Sequence, residues 1–419
     1  MSAGALIIGA GQAGVQIAAS LREGGFQDPI TLVGAEEHYP YSRPPLSKEY
    51  LSGQAELDSL QLRTADFYRE QRIDVLPAER VVELKVSGVE GRGTAVTASG
   101  RELAFDKLAI TTGARPRRLA LEGAELDGIC YLRVLEDARL LKSSLAQAQN
   151  VVVIGGGFVG LEAASMARSA GKNVTVLEAA ERLVPRSVAP VISQFLFDAH
   201  ARRGVEIRLD AQVTALRGTG GRVASVELAD GTAVPADLVI VGVGIIPRTE
   251  LAEQLGLDCD RGVVVDVHAR TSNPSVVAAG DCTVLPNPLT GQGRYRLEST
   301  QNAMSQARVA ASTMLGELRA HDAVPWFWSD QFDLKLQIAG LTDGYDNHVV
   351  RGDPESESFS VLYYRQGRLL AVDAVNRPAD YLTVRAVLGR RASIDPVQAG
   401  DAALPLKTLI VEGEPAPAL

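Results

Sequence analysis

The chain has 419 residues, enough for two or three domains that each bury a core. Apolar residues make up 46% and charged residues 22%, the ordinary globular balance, and a formal net charge of −9 argues against nucleic acid as a general partner. Met1-Ser2-Ala3-Gly4 runs straight into an apolar strand, which leaves no room for a signal peptide, and no apolar stretch reaches membrane-spanning length; a reducing, cytoplasmic setting is expected.

The first predicted strand, Ala5-Leu6-Ile7-Ile8, leads into Gly9-Ala10-Gly11-Gln12-Ala13-Gly14 and then a helix to about Arg22. In such a turn Gly9 makes the bend, Gly11 lets backbone N–H groups approach a pyrophosphate, and Gly14 lets helix pack on strand. A second strand, Ile30-Thr31-Leu32-Val33, should end on an acidic residue that holds the adenosine ribose, yet Gly34 stands there. Glu36 is the candidate for that contact; a solvated loop charge is the alternative. Tyr41-Ser42-Arg43-Pro44-Pro45-Leu46-Ser47-Lys48 follows, and its double proline fixes where Arg43 and Lys48 point. A strand-rich stretch from Ile73 to Leu108 then reaches Thr111-Thr112-Gly113, read as a crossing between domains close to the first dinucleotide.

The second unit repeats the first. Val151-Val152-Val153-Ile154 leads into Gly155-Gly156-Gly157-Phe158-Val159-Gly160, with Glu162 expected in the first helical turn. The next strand, Val174-Thr175-Val176-Leu177, ends on Glu178, eighteen positions after Gly160. A carboxylate there accepts hydrogen bonds from a ribose diol and repels a 2′-phosphate, so NADH is favoured over NADPH. Arg182 lies four residues on. The strand from Ala236 to Val241 and the turn Gly242-Val243-Gly244 close this unit before Pro247. Val276 to Asp281 reads as a buried strand ending in Gly-Asp; Asp281 would bind a flavin ribityl hydroxyl or, alternatively, cap a following helix. From about Trp326 the pattern becomes α+β, with strands Asp333 to Ala339 and Phe359 to Tyr364, a helix from about Asp380 to Leu388, and a frayed Pro/Ala tail after Glu412.

Two fingerprints, each in strand–turn–helix context, imply two dinucleotides and hydride traffic between them. Cys130, Cys259 and Cys282 form no C-x-x-C pair, so a dithiol relay is excluded. The five histidines are scattered, and no Cys/His spacing suits a metal. The chemistry must come from cofactors.

These residues resemble the glutathione-reductase-like two-dinucleotide flavoproteins. Within them they are similar to the putidaredoxin-reductase-type NADH-dependent ferredoxin reductases that serve Rieske dioxygenases and bacterial cytochromes P450. The most specific marks are Arg43-Pro44-Pro45-Leu46-Ser47-Lys48, Gly280-Asp281-Cys282, Pro325-Trp326-Phe327-Trp328-Ser329-Asp330-Gln331 and Asn376-Arg377-Pro378. The resemblance implies an α/β fold of two Rossmann-like domains: an FAD domain (1–115 and 248–325) interrupted by an NAD domain (116–247). An α+β interface domain (326–419) follows. It implies flavin contacts at Ala13, Lys48, Val81, Arg133, Asp281 and Thr300, and a Lys48–Glu162 ion pair beside the nicotinamide–flavin contact. Trp328 would lie near the flavin edge, or else be plain core. The implied activity is hydride transfer from NADH to FAD, then single electrons to an acidic [2Fe-2S] ferredoxin, or a rubredoxin, docking near Arg308, Lys335 and Lys407. A monomer or weak dimer is expected. One departure is Ala35, where a member of this group has Asp, so the ribose contact shifts to Glu36 or is lost. Two other readings stay open: a stand-alone NADH-dependent oxidoreductase acting on oxygen or quinone, and an apoptosis-inducing-factor-like flavoprotein. The first usually places a cysteine in the Arg43-Pro44-Pro45 loop.

Overall fold

The computed structural model describes residues 2–87, 91–287 and 293–411; the expected tail after Glu412 lies outside them. The two fingerprints open two parallel sheets of matching design. In the first, the strand order is Val276–Ala278, Lys107–Ile110, Ala5–Ile8, Ile30–Val33 and Ile73–Leu76, every pair parallel. In the second it is Val205–Arg208, Asn173–Leu177, Asn150–Ile154, Leu238–Val241 and Ile129–Tyr131, again parallel throughout. Central strands buried on both faces read as unbroken apolar runs, which is why Ala5–Ile8 and Val151–Ile154 carry no alternation. Each unit also carries a three-stranded antiparallel excursion, Val81 to Phe105 in one and Val213 to Pro235 in the other. Ala114–Pro116 pairs antiparallel with Ile245–Pro247, so the chain leaves and re-enters the first unit through one two-stranded crossing.

The last segment forms a five-stranded antiparallel sheet, ordered Trp326–Gln331, Leu334–Gly340, Arg368–Val375, Ser358–Arg365 and Asn347–Asp353. Its period-2 alternation feeds two cores. One face, with Leu362, Tyr364, Val372 and Ala374, packs on helix Pro378–Gly389 through Tyr381, Val384 and Leu388. The other face, with Leu336, Phe359, Val361 and Tyr363, packs on Leu161, Ile192, Phe195 and Ala199 of the second unit.

Asp373 sits on this second face, fully buried, with the Tyr363 hydroxyl donating to Oδ2 at 2.7 Å and no partner for Oδ1. Burial pushes its carboxyl up to about 7, while Tyr363 pulls the other way. A folded-state value above the unfolded one of about 3.9 means that folding takes up a proton between the two. Stability therefore falls as pH rises from about 4 to about 7 and is level above. Asp373→Asn should remove that slope and gain on the order of 4 kcal/mol at pH 8, read by urea unfolding at pH 5 and pH 8. Equal slopes in both proteins would place the pH dependence elsewhere.

Candidate active site

The two glycine-rich turns have the same local construction. Gly9 has φ +118° and Gly155 φ +106°, conformations that side chains rarely adopt. Each donates its N–H at 2.8 Å to the end of the second strand, Gly9 to Val33 and Gly155 to Leu177. A Cβ at Gly14 would lie 2.1 Å from the Gly9 carbonyl oxygen, and one at Gly160 2.0 Å from that of Gly155. Only glycine lets helix and strand close this far. A Cβ at Gly11 or Gly157 meets nothing within 4 Å. These two residues also precede helices Gln12–Glu23 and Phe158–Ser169 with no side-chain cap, so at each turn the N-terminal N–H groups and the positive dipole end are left to a ligand in open space. That is a cradle for a pyrophosphate, and the residues present fit one dinucleotide in each unit.

The turns differ where the ribose acid belongs. Glu178 accepts from Gly156 N–H at 2.6 Å and from Ala180 N–H at 2.8 Å, which holds its carboxylate beside the second cradle. Gly34 occupies the matching place in the first: its N–H bonds Leu76 as that of Glu178 bonds Arg208. A Cβ at Gly34 would meet that of Ala10 at 2.8 Å. Glu36 does face the first cleft, but its carboxylate is shared with Arg43, whose Nη2 is at 2.5 Å, and with the Tyr41 hydroxyl. Tyr41 also accepts from Leu135 N–H at 2.9 Å, so this cluster pins the loop to the start of helix Leu135–Gln147 in the second unit. Tyr41 was not legible in the sequence; only its two-residue spacing from Arg43 hinted at it.

A cleft of about 840 Å³ runs along the first unit to the second, within the usual ~300–1,000 Å³ of small-molecule and cofactor sites. Gly9, Gly11, Ala13, Glu36 and Arg43 line one end, with Val81, Thr112 and Gly113 along the side. Arg133 and Asp281 face it as an ion pair at 2.8 Å, and Thr300 opens a helix, Thr300–Met314, at its wall. Lys48, Phe158, Glu162 and Trp328 close the other end. Gly14 lies under the first turn rather than in the lining, and Gly155, Gly157, Gly160, Glu178 and Gly244 lie outside this cleft, on the second unit. Gly244, at φ +99°, sits on the crossing, where its carbonyl accepts from Arg117 N–H at 2.9 Å.

Three distant segments build the closed end. The 3₁₀ turn Pro44–Ser47 delivers Lys48, whose Nζ is 3.3 Å from Glu162 Oε1 and 3.4 Å from Asp330 Oδ2. Glu162 is the fifth residue of its helix, in the second turn rather than the first, because the helix begins at Phe158. It also accepts from Ser47 Oγ and Ser329 Oγ, each at 2.7 Å. Burial raises the carboxyl of Glu162, while Lys48 and both serines pull it back. The side chains of Lys48 and Glu162 are 12% and 7% exposed, so this is a buried ion pair rather than two surface charges. Trp328 stands half-buried on the cleft wall with its ring 5.6 Å from Lys48 Nζ, which rules out a plain core role. Ser47 and Ser329 carry no signal of this role in the sequence beyond standing next to Lys48 and Trp328.

Two more expectations are corrected. No helix follows Asp281; the chain enters strand Thr283–Pro286, so capping is not its role. Arg182 spends its guanidinium on the Pro185 and Val188 carbonyls and Ser193 Oγ at 2.7–2.8 Å, bracing its own loop. The thiols of Cys130, Cys259 and Cys282 are all unpaired and pushed up by burial, against any thiolate chemistry. Among the described residues no group of His, Cys, Asp and Glu could hold a metal, and no helix is long and apolar enough to cross a membrane.

The fold and this cleft define an oxidoreductase that binds two dinucleotides, FAD and NAD(H), and carries no redox dithiol. The chain belongs to the pyridine nucleotide-disulphide oxidoreductase family, whose model matches residues 4–307, and a reductase C-terminal domain matches residues 326–410. It is 43% identical to rhodocoxin reductase of Rhodococcus erythropolis, across 97% of this chain and 94% of that one. It is 40% identical to putidaredoxin reductase of Pseudomonas putida, across 97% and 96%. The covalent putidaredoxin reductase–putidaredoxin complex superposes with a TM-score of 0.92 at 40% identity, covering 97% of both chains.

Cofactor preference should follow Glu178. With Arg182 committed to its loop, Glu178→Gln should narrow the kcat/KM preference for NADH over NADPH by about tenfold, the scale of one lost repulsion near 1.4 kcal/mol. An unchanged ratio would place the discrimination outside this carboxylate.

Proposed function

We propose that the protein is a cytoplasmic NADH-dependent ferredoxin reductase, passing electrons to a [2Fe-2S] ferredoxin or a rubredoxin that feeds a P450 or Rieske oxygenase. The observation that carries this reading is the meeting of Lys48, Glu162 and Trp328 at one end of a cleft that none of the three cysteines lines. Residues 1–115 with 248–325 form the FAD domain, 116–247 the NAD domain and 326–419 the interface domain; the paired strands Ala114–Pro116 and Ile245–Pro247 support this division.

Bound flavin supplies the interchange between hydride and single-electron chemistry. The protein supplies orientation and charge. Gly11 and Gly157 would admit the two pyrophosphates, Arg133 and Asp281 would hold the ribityl chain, and Phe158 packs on Phe327 with ring centroids 4.7 Å apart. Lys48 presents a fixed positive charge where electron density accumulates, and Glu162 orients it. Trp328 excludes water and lies towards the partner.

Putidaredoxin reductase forms a complex with putidaredoxin, and other relatives are rubredoxin reductases, such as that of Pseudomonas putida at 40% identity over 373 residues. Arg308, Lys335 and Lys407 are proposed to receive the partner. All three are exposed, and Lys335 shares a sheet face with Asp330 and Trp328 through the pairs Asp330–Lys335 and Trp328–Gln337. The chain is net negative, so attraction to an acidic partner needs a local basic cluster. Reversing all three charges should slow ferredoxin reduction about 100-fold at low salt while NADH still reduces the flavin at its usual rate. The loss should shrink as the Debye length falls from about 10 Å at 0.1 M to about 3 Å at 1 M. Stopped-flow traces of the two half-reactions decide it: equal slowing of both would misplace the docking surface. Faster reduction of a quinone or oxygen than of any ferredoxin or rubredoxin by the unaltered enzyme would overturn the activity itself.

A further inference from the structure

The strand Trp326–Gln331 grips the ion pair from both of its faces. Trp328 and Asp330 point to the side of Lys48, whereas Ser329 and Gln331 point to the buried seam between the interface domain and the second unit. On that seam Ser329 Oγ is 2.7 Å from Glu162 Oε1, Gln331 Nε2 is 3.0 Å from Ser329 Oγ, and His200 Nε2 is 2.8 Å from Gln331 Oε1. Ser329 and Gln331 are each 1% exposed and His200 0%. None of these three lines the cleft; Ser329 reaches it only through Glu162.

The donor directions follow one by one. An ionised Glu162 only accepts, so Ser329 spends its single proton on Oε1. Its oxygen must then accept from the Gln331 amide nitrogen. The Gln331 oxygen is left to accept, and His200 must donate from Nε2. His200 Nδ1 stays without a proton, and this nitrogen is the one with no partner in the structure. A bare buried acceptor is better tolerated than an orphaned N–H. Every link thus donates towards the carboxylate, and in a low-dielectric seam such bonds polarise one another.

We propose that His200, Gln331 and Ser329 form a one-directional hydrogen-bond chain that positions Glu162 and keeps it ionised beside Lys48. The charged groups around the chain fit a neutral His200. Burial holds its imidazole down at about 4, and the neighbouring cations are turned outward: Arg202, in the last turn of its helix Pro190–Arg202, to Glu357, and Arg203, just past the helix end, to Glu357 and Asp333. Phe332 packs its ring edge-on at 5.2 Å. At the far end Lys48 is shared between Glu162 and Asp330, and Ser47 supplies the other donor. Protonating Glu162 at Oε1 would turn the Ser329 proton away from the carboxylate, against the direction in which Gln331 and His200 set it. This coupling gives the seam a say in the charge of the site, and it rests on the proposed placement of Lys48 and Glu162 at the nicotinamide–flavin contact only for its consequence in catalysis.

The test reads the purified flavoprotein without turnover. Histidine 15N NMR, with His200 assigned by its absence in His200→Phe, should show a neutral ring protonated at Nε2 from pH 5 to 9. The infrared carbonyl band of protonated Glu162, identified by its loss in Glu162→Gln, should titrate at least one unit higher in Gln331→Leu, a tenfold change in proton affinity. Ser329→Ala should behave alike and Ser329→Thr should restore the unaltered titration. The pH profile of flavin reduction by NADH should move in parallel. Should Gln331→Leu fail to fold, His200→Phe breaks the chain one link further out and is read the same way. An Nδ1-protonated or cationic His200 overturns the chain, as does an unmoved Glu162 titration in Gln331→Leu or its substitute. Unmoved titration with a shifted rate profile would overturn the chain while leaving the proposed activity standing.

Discussion

Gly11→Val should yield a folded, colourless protein. A Cβ at Gly11 meets no atom within 4 Å, so the branched side chain costs the fold little and enters the space where backbone donors meet a pyrophosphate. Flavin per chain should fall from about one to below a tenth, read from the visible absorbance of the purified protein. The melting temperature should fall with it, because a tightly bound ligand stabilises the native state by about 4 kcal/mol at a thousandfold excess over Kd. Gly14→Val is the informative contrast. Its Cβ would strike the Gly9 carbonyl, so it should fail as a folding defect rather than as a binding defect. Full flavin occupancy in soluble Gly11→Val would mean that the first cradle does not hold the FAD.

The second large effect is expected at the buried ion pair. Lys48→Met leaves Glu162 with two serine donors and no cation. Removing one partner of a buried pair costs about 3–5 kcal/mol when the other stays charged, so Glu162 should take up a proton instead and become a neutral acid near pH 7. The rate of flavin reduction by NADH should fall about 10²–10³-fold, the usual scale for losing one fixed electrostatic contact. Glu162→Gln should cost less, since Lys48 keeps Asp330. The double variant should recover stability relative to Lys48→Met but not rate, and a double-mutant cycle separates the two. A Lys48→Met enzyme that is reduced by NADH at an unchanged rate would leave the pair a structural role alone.

Those two sites illustrate what can be read before folding. Gly9, Gly11 and Gly14 carry their roles locally: the bend, the open approach and the tight packing all lie within six residues, and the second turn repeats them at Gly155, Gly157 and Gly160. The parallel sheets and the antiparallel last domain were legible for the same reason, from apolar runs and period-2 alternation. Glu178 was legible because its distance from its turn is set by one helix and one strand.

Contacts across hundreds of residues were not legible. Lys48, Glu162 and Trp328 lie in three segments, and the family resemblance brought them together in name, whereas the serines that satisfy Glu162 became visible only once the turn Pro44–Ser47 and the strand Trp326–Gln331 were laid against helix Phe158–Ser169. Glu36 stood at a suitable position in sequence, yet the tertiary structure gives its carboxylate to Arg43 and Tyr41. Arg182 was near enough to Glu178 to compete for a phosphate, yet its own loop takes both hydrogens of Nη1 and one of Nη2. Sequence by itself determined the fold class, the two dinucleotide turns and the absence of a dithiol, because glycine geometry and hydrophobic period are short-range properties. Tertiary structure alone decided which charges are buried, which are paired and which chain of donors reaches the carboxylate at the cleft, because the partner of a buried polar group is chosen by packing rather than by position along the chain.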